Sequence, residues 1–126
     1  MTSPAQELAA AAAKLRALAD AARTDGHGRD ISTWTSHHAS TRDARLHGPD
    51  RVDIIRGGSS GPHGRGIRPH LHPPVADYIA AMQPNVGVAL AQWLEAEAFQ
   101  ALHNGQGPNA HHALAVARQI LGSTDG

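Results

Sequence analysis

The chain has 126 residues, a formal net charge of zero with neutral histidines, and no cysteine. The length suits one domain, and we expect residues 1–126 to form a single domain. The lack of cysteine excludes disulfide bonds, thiolate metal sites and cysteine nucleophiles.

The expected hydrophobic core is thin. Hydrophobic residues make up 40% of the chain, but 24 residues are Ala, and only 22 are Leu, Ile, Val or Phe. Alanine buries little apolar area, so a partner or self-association would add useful burial.

No segment predicts a membrane span or a secretory signal. The longest apolar run, residues 8–13, is mostly Ala, whereas a span needs about 20 residues. The first residues contain no basic stretch followed by an apolar one, so we expect a cytoplasmic protein.

A first helix is predicted from Ser3 onward. Ser3 can cap it, Pro4 suits the first turn, and Gln6 completes a capping box. Residues 24–28 contain two glycines and should end the helix. The stripe that should face the core consists of Leu8, Ala11, Leu15, Leu18 and Ala22.

The middle of the chain predicts strands. Residues 31–38 and 51–56 are rich in β-branched residues, and Val52 and Ile54 should share a face. Residues 66–72 could add a short third strand, which Pro69 would confine to a sheet edge. Residues 57–66 include five glycines and predict a mobile loop.

Three helices are predicted in the C-terminal half. They cover residues 74–82, 84 to about 102, and the segment that Asn109 caps and Gly122 ends. The expected core residues are Tyr78, Ile79, Met82, Val86, Leu90, Trp93, Leu94, Leu102, Leu114, Ala117 and Leu121.

This order predicts an α+β fold. We expect a small antiparallel sheet of two or three strands, packed against an N-terminal helix and three C-terminal helices. The alternative is an all-helical domain with a disordered insert at residues 23–72.

Ten histidines are the most unusual feature of the composition. His70 and His72 would share one face of an extended segment, where they could bind a metal with His63 and a carboxylate from Asp77. The prolines around this segment leave its backbone geometry open. We therefore favour solvent-exposed histidines, with a metal site at His63, His70 and His72 as the alternative.

Catalytic signatures are missing. The loop at 57–66 could cradle a phosphate but lacks the spacing of a P-loop, so a flexible connection is favoured. Ser59 and Ser60 are close to His63 without a nucleophile elbow. Two helical glutamates, Glu95 and Glu97, diverge by about 200°. We expect a non-enzymatic protein without a cofactor.

Nucleic-acid binding has limited support. Trp34 is near Arg29, Arg42 and Arg45 in the sequence, but aromatic residues are only 3% of the chain. Trp34 is better explained as a core residue. The alternating Arg and Asp residues of 42–53 suggest a solvated surface.

Three segments resemble short uncharacterised proteins of actinobacteria and their phages. They are Lys14–Arg16 in the Ala-rich helix, Thr33–Ser36 around the tryptophan, and the C-terminal runs Ala76–Ala80, Pro84–Leu94 and Ala115–Gly122. The resemblance implies no activity, cofactor or catalytic residue. It implies a small accessory protein, with a phage or prophage as one candidate source.

We therefore expect an accessory protein that acts by protein–protein contact with an unknown host or phage protein, or with a second copy of itself. The Leu/Ala face of the first helix could dock in a groove, although most of it should pack inside the domain. The alternatives are a His-based divalent-metal-binding protein and a weak nucleic-acid binder.

Overall fold

The computed structural model describes residues 2–56 and 71–122, which form an α+β fold. Four helices and a three-stranded antiparallel sheet lie in these residues, so the predicted fold class is confirmed. Strands within 23–72 show that the all-helical alternative was wrong. The elements are α1 (Pro4–Ala21), β1 (Thr35–His38), β2 (Ala44–His47), β3 (Asp53–Arg56), α2 (Pro73–Ala81), α3 (Pro84–Asn104) and α4 (Ala110–Leu121).

The chain divides into two compact units. One is helical and comprises Met1–Ala21 and Gly87–Gly126, and the other contains the sheet and comprises Ala22–Val86. Each is described separately below, and the single-domain expectation stays a prediction. No helix in the described residues is both long and apolar enough to cross a membrane.

The first turn of α1 forms the predicted capping box. The backbone N–H of Gln6 donates to Ser3 Oγ at 3.2 Å, and the backbone N–H of Ser3 donates to Gln6 Oε1 at 2.9 Å. These bonds satisfy donors that a helix N-terminus otherwise leaves without partners.

The core of the helical unit is built largely from alanine. Leu8, Ala11 and Ala12 of α1 pack with residues of α3 and α4, including the fully buried Leu94 and Ala117. Small side chains allow the helices to approach closely. At Gly87 of α3, an added Cβ would lie 3.0 Å from Ala19 Cβ, so glycine keeps this contact open.

Two leucines predicted to face this core are exposed. Leu18 is 57% exposed and Leu102 is 69% exposed. On α1, Ala12 and Ala19 are buried instead. A helix rich in alanine offers several faces that can be packed, so the spacing of leucines alone did not identify the buried one.

The sheet has the order β1-β2-β3, and its central strand was not predicted. Residues 42–53 had been interpreted as a solvated surface, whereas Ala44 and Leu46 of β2 are both fully buried. β1 and β3 begin later than predicted, at Thr35 and Asp53. A 3₁₀ turn, Pro49–Arg51, occupies the start of the predicted second strand.

Most of the predicted loop and third strand lies outside the described residues. This applies to all of 57–66 and to residues 66–70 of the strand. Of the rest, Leu71 is buried, and its carbonyl accepts a hydrogen bond from the Ala44 N–H at 2.8 Å. Residues 71–72 therefore lead into α2 beside the first residue of β2.

One face of the sheet is covered by α2. Ala76 is fully buried against Leu46, and Ile54 and Ile55 both pack on this cluster because the register shifts at Leu46/His47. A bulge of this kind places two successive side chains on one side of the sheet. Val52 precedes β3, so the predicted Val52–Ile54 face does not form within the strand.

The outer side of α2 also differs from the prediction. Tyr78 is 70% exposed and Met82 is 45% exposed, although both were expected in the core. Ala76 and the half-buried Ile79 and Ala80 face the sheet instead. Small residues at this contact let the helix lie close to the strands, which leaves the larger side chains outside.

We predict that two leucine substitutions on α3 have very different costs. Leu94→Ala should lower the free energy of unfolding by about 2–5 kcal/mol, because it leaves a cavity in the helical core. Leu102→Ala, the matched control at an exposed position, should change it by less than about 0.5 kcal/mol. Urea unfolding followed by circular dichroism measures both, and equal losses would contradict the described packing.

Candidate functional site

The second face of the sheet is polar and exposed. Residues opposite one another in β1 and β2 share a face, and the register pairs Thr35 with His47 and His37 with Arg45. Ala44 and Leu46 point the other way, toward α2. The open face therefore carries two imidazoles and a guanidinium.

A cleft of about 730 Å³ lies along this open face. Its walls include Thr35 and His37 of β1, Arg45 and His47 of β2, and Asp53 of β3. The turn between β2 and β3 adds further lining residues, among them Asp50 and Arg51. The volume is within the range of small-molecule sites in proteins.

The two imidazoles are stacked next to a carboxylate. The ring centroids of His37 and His47 are 5.8 Å apart with an interplanar angle of 13°. His47 Nε2 lies 3.2 Å from Asp53 Oδ1, across the β2–β3 ladder. The Asp53 contact fixes one ring, and stacking places the second ring parallel to it.

The turn beside the cleft has an unusual backbone. Asp50 and Arg51 have φ values of 56° and 59°, in the left-handed region that favours glycine. This conformation costs roughly 1–2 kcal/mol per residue for a side chain with a Cβ. Gly48 allows the turn to form, because a Cβ there would lie 2.8 Å from Ile31 Cγ2. The strained turn contributes Arg51 to the lining of the cleft.

Three arginines outside the cleft are held in ion pairs, whereas Arg42, also outside it, pairs with no described carboxylate. Arg16, Arg29 and Arg118 pair with Glu95, Asp25 and Glu7 at 2.7, 2.7 and 3.2 Å. Among residues 2–56 and 71–122, no carboxylate pairs with Arg45 or Arg51. The cleft therefore presents two guanidinium groups whose charges are not neutralised by a direct ion pair with a described residue.

A second polar group lies on the α2 side of the sheet. His38 Nε2 is 2.8 Å from Asp77 Oδ1, and both side chains are about half exposed. The pKa of the Asp77 carboxyl is lowered, first by the hydroxyl of Ser36 and then by His38. Ser36 Oγ is buried and forms no hydrogen bond of good geometry with a described residue. Its effect on Asp77 is thus that of a nearby dipole.

This group does not have the geometry of a Ser-His-Asp triad. In a triad, the imidazole bonds to the serine hydroxyl with one nitrogen and to the carboxylate with the other. Here Ser36 and His38 both act on the same carboxylate, and Ser36 Oγ has no hydrogen bond to the imidazole. His38 therefore cannot take the Ser36 proton in this arrangement.

The residues of the predicted metal site are only partly described. His63 and His70 lie outside the described residues, while His72 is exposed at the N-cap of α2. Asp77, the suggested carboxylate ligand, contacts His38. No group of three His, Cys, Asp or Glu side chains suited to a metal occurs in the described part. The site at His63, His70 and His72 stays a prediction.

The residues suggested to bind nucleic acid each have different contacts in the structure. Trp34 is half buried and packs on the sheet core, and its Nε1–H donates to the Ile31 carbonyl at 2.6 Å. Arg29 is held by Asp25. Arg45 lines the cleft. The tryptophan is thus a core residue, in agreement with the favoured interpretation, and is not placed to stack on a base.

The contact between His37 and His47 was not predicted from the sequence. His37 and His38 lie on opposite faces of β1, and the sequence pattern related His47 to neither of them. The signal was the alternation of Ala44, Arg45, Leu46 and His47, which is typical of a half-buried strand. Once β2 is recognised, antiparallel pairing brings its polar side chains next to those of β1.

We predict that Asp77 contributes to stability mainly above pH 4. Its folded-state pKa is below its ordinary value, so its contribution is present above that value and is lost as pH falls through the folded-state pKa. The stability difference between wild type and Asp77→Asn should therefore be larger at about pH 6 than at about pH 3. Urea midpoints at both pH values measure it.

Ser36→Ala is the matched control for this prediction. It removes the largest cause of the lowered pKa and should reduce the pH-dependent part of the Asp77 contribution while the carboxylate is kept. A difference between wild type and Asp77→Asn that is the same at both pH values would show that Asp77 acts without its charge.

Comparison with known proteins gives no further indication of identity. No family model matches the chain, and no curated protein or solved structure shows a significant match to it.

Proposed function

We propose that this chain is a non-enzymatic accessory protein that acts by protein–protein contact through the outer side of α2. The supporting observation is a stripe of exposed apolar side chains on that helix. Val75, Tyr78 and Met82 are 48%, 70% and 45% exposed. We call these three residues the α2 stripe.

The spacing of the α2 stripe places its members on one side of the helix. Positions 75, 78 and 82 fall within an arc of about 60° at 3.6 residues per turn. The buried Pro73 and Ala76 lie on the roughly opposite side, where α2 meets the sheet. The helix is thus apolar on both sides, which is unusual for a surface helix with no partner.

The chemistry of the α2 stripe suits a protein groove. Tyrosine is enriched at the centres of interfaces, because its ring buries a large area and its hydroxyl can still bond to polar groups. Methionine adapts to irregular apolar surfaces. α2 contains no basic residue and one acidic residue, Asp77, whose carboxylate contacts His38. These features favour an apolar groove in the partner.

The partner can be another protein or a second copy of this chain. The thin, alanine-rich core supports either, because each association would bury more apolar surface. Sedimentation velocity of the purified protein distinguishes them, since self-association raises the sedimentation coefficient with concentration. We also propose the cytoplasm as the compartment and a phage or prophage as the source, the latter supported by the sequence resemblance.

We predict that a photo-crosslinking amino acid at position 78 captures the partner. Replacing Tyr78 by benzoyl-phenylalanine keeps an aromatic ring at the centre of the α2 stripe. Irradiation in the native host should give one main adduct, identified by mass spectrometry. The same amino acid at Leu102, which is equally exposed on α3, is the positional control and should not give that adduct.

Binding of the purified partner then decides the role of the stripe. Tyr78→Ser should weaken binding by about tenfold or more, as expected for a central aromatic side chain. Leu102→Ser should leave the affinity unchanged. If Tyr78→Ser binds as tightly as wild type, or if position 78 captures no defined partner or second copy, the proposed surface is wrong.

A further inference from the structure

The cleft on the open face of the sheet lies on the side opposite α2 and has no role in the proposed protein contact. We infer that this cleft binds an anion that carries a di- or triphosphate group, with Arg45 and Arg51 as its main contacts. The inference is independent of the α2 stripe.

Two arginines of the cleft, Arg45 and Arg51, lack an ion pair with a described residue. The same is true of Arg42, but only Arg45 and Arg51 of these three line the cleft. Guanidinium groups bind phosphate oxygens through paired, charge-assisted hydrogen bonds. An anion between them would supply the acceptors that the described residues do not.

The other groups of the cleft support an anion as well. Thr35 adds a hydroxyl donor, and the imidazole of His37 is exposed at the same face. Asp53 also lines the cleft, and its Oδ1 lies 3.2 Å from His47 Nε2. Asp50 is exposed on the turn. The lining therefore contains two arginines and two carboxylates, and the two imidazoles add ring nitrogens that can donate hydrogen bonds.

A divalent cation fits the cleft less well. A cation site needs several converging acceptors, and the described residues include no group of three His or acidic side chains with suitable geometry. The lack of converging acceptors in the described residues, together with two guanidinium donors, therefore favours an anion over a metal ion.

The strained turn that contains Asp50 and Arg51 independently supports a binding site. Asp50 and Arg51 adopt left-handed conformations although neither is glycine. Such strain is retained in proteins mainly where a side chain has to be held at a functional position. Here the turn contributes Arg51 to the lining of the cleft, to which Arg45 of β2 also belongs. The volume of about 730 Å³ has room for a diphosphate and an attached group.

Isothermal titration calorimetry in metal-free, low-salt buffer tests the inference, with inorganic pyrophosphate as the first probe. Wild type should bind pyrophosphate saturably at one site. Arg45→Gln and Arg51→Gln should each weaken binding by about tenfold, as expected for a charged hydrogen bond. Arg42→Gln is the matched control, since Arg42 is exposed between β1 and β2 and does not line the cleft.

A second probe identifies the source of the phosphate group. Adenosine diphosphate that binds more tightly than pyrophosphate indicates a nucleotide, whereas equal affinities indicate recognition of the phosphates alone. Either result supports the inference if Arg45→Gln and Arg51→Gln weaken the binding of both probes.

Two results would overturn the inference. One is no saturable binding of either probe. The other is an equal loss for Arg42→Gln and the two cleft variants, which would show only diffuse attraction to positive charge. Tyr78→Ser should bind pyrophosphate as wild type does, so a failure here and a failure of the α2 stripe are separate outcomes.

Discussion

The two buried side chains of β2 are the constraint on which the sheet unit depends. Ala44 and Leu46 are fully buried against α2 and its neighbours, and they fix which face of the central strand points inward. Because side chains alternate along a strand, this burial forces Arg45 and His47 onto the opposite face. Pairing with β1 then brings His37 beside His47. The polar cleft is thus a direct consequence of how two apolar residues of β2 pack.

Buried alanines determine how the helices pack in the helical unit. Leu8 and Leu94 are fully buried, but most of their buried neighbours are alanines, and Gly87 permits a close approach of α3 to α1. Close packing of small residues stabilises the unit with little apolar area per residue. Close packing of small residues also leaves larger side chains outside. Burial in this unit therefore depends more on the shape of the contact than on the hydrophobicity of each residue.

Apolar and charged surfaces occur on opposite sides of the sheet unit. On the outer side of α2, the α2 stripe offers tyrosine and methionine to a protein groove. On the open face, Arg45 and Arg51 offer charged hydrogen-bond donors, and the histidine pair lies beside them. The two surfaces do not share a residue, so contact with a partner through one leaves the other free to bind a ligand.

The sequence by itself determined the α+β class, the capping box at Ser3 and the ends of several helices, because these depend on residues close together in the chain. It did not determine β2, since one short strand of alternating Ala, Arg, Leu and His gains stability only from its neighbours. It also misplaced Leu18, Tyr78, Met82 and Leu102, because an Ala-rich helix can bury more than one face. The tertiary structure decided which face is buried, through the close approach that only small side chains allow. It also decided which histidines meet, since His37 and His47 become neighbours only when β1 and β2 pair.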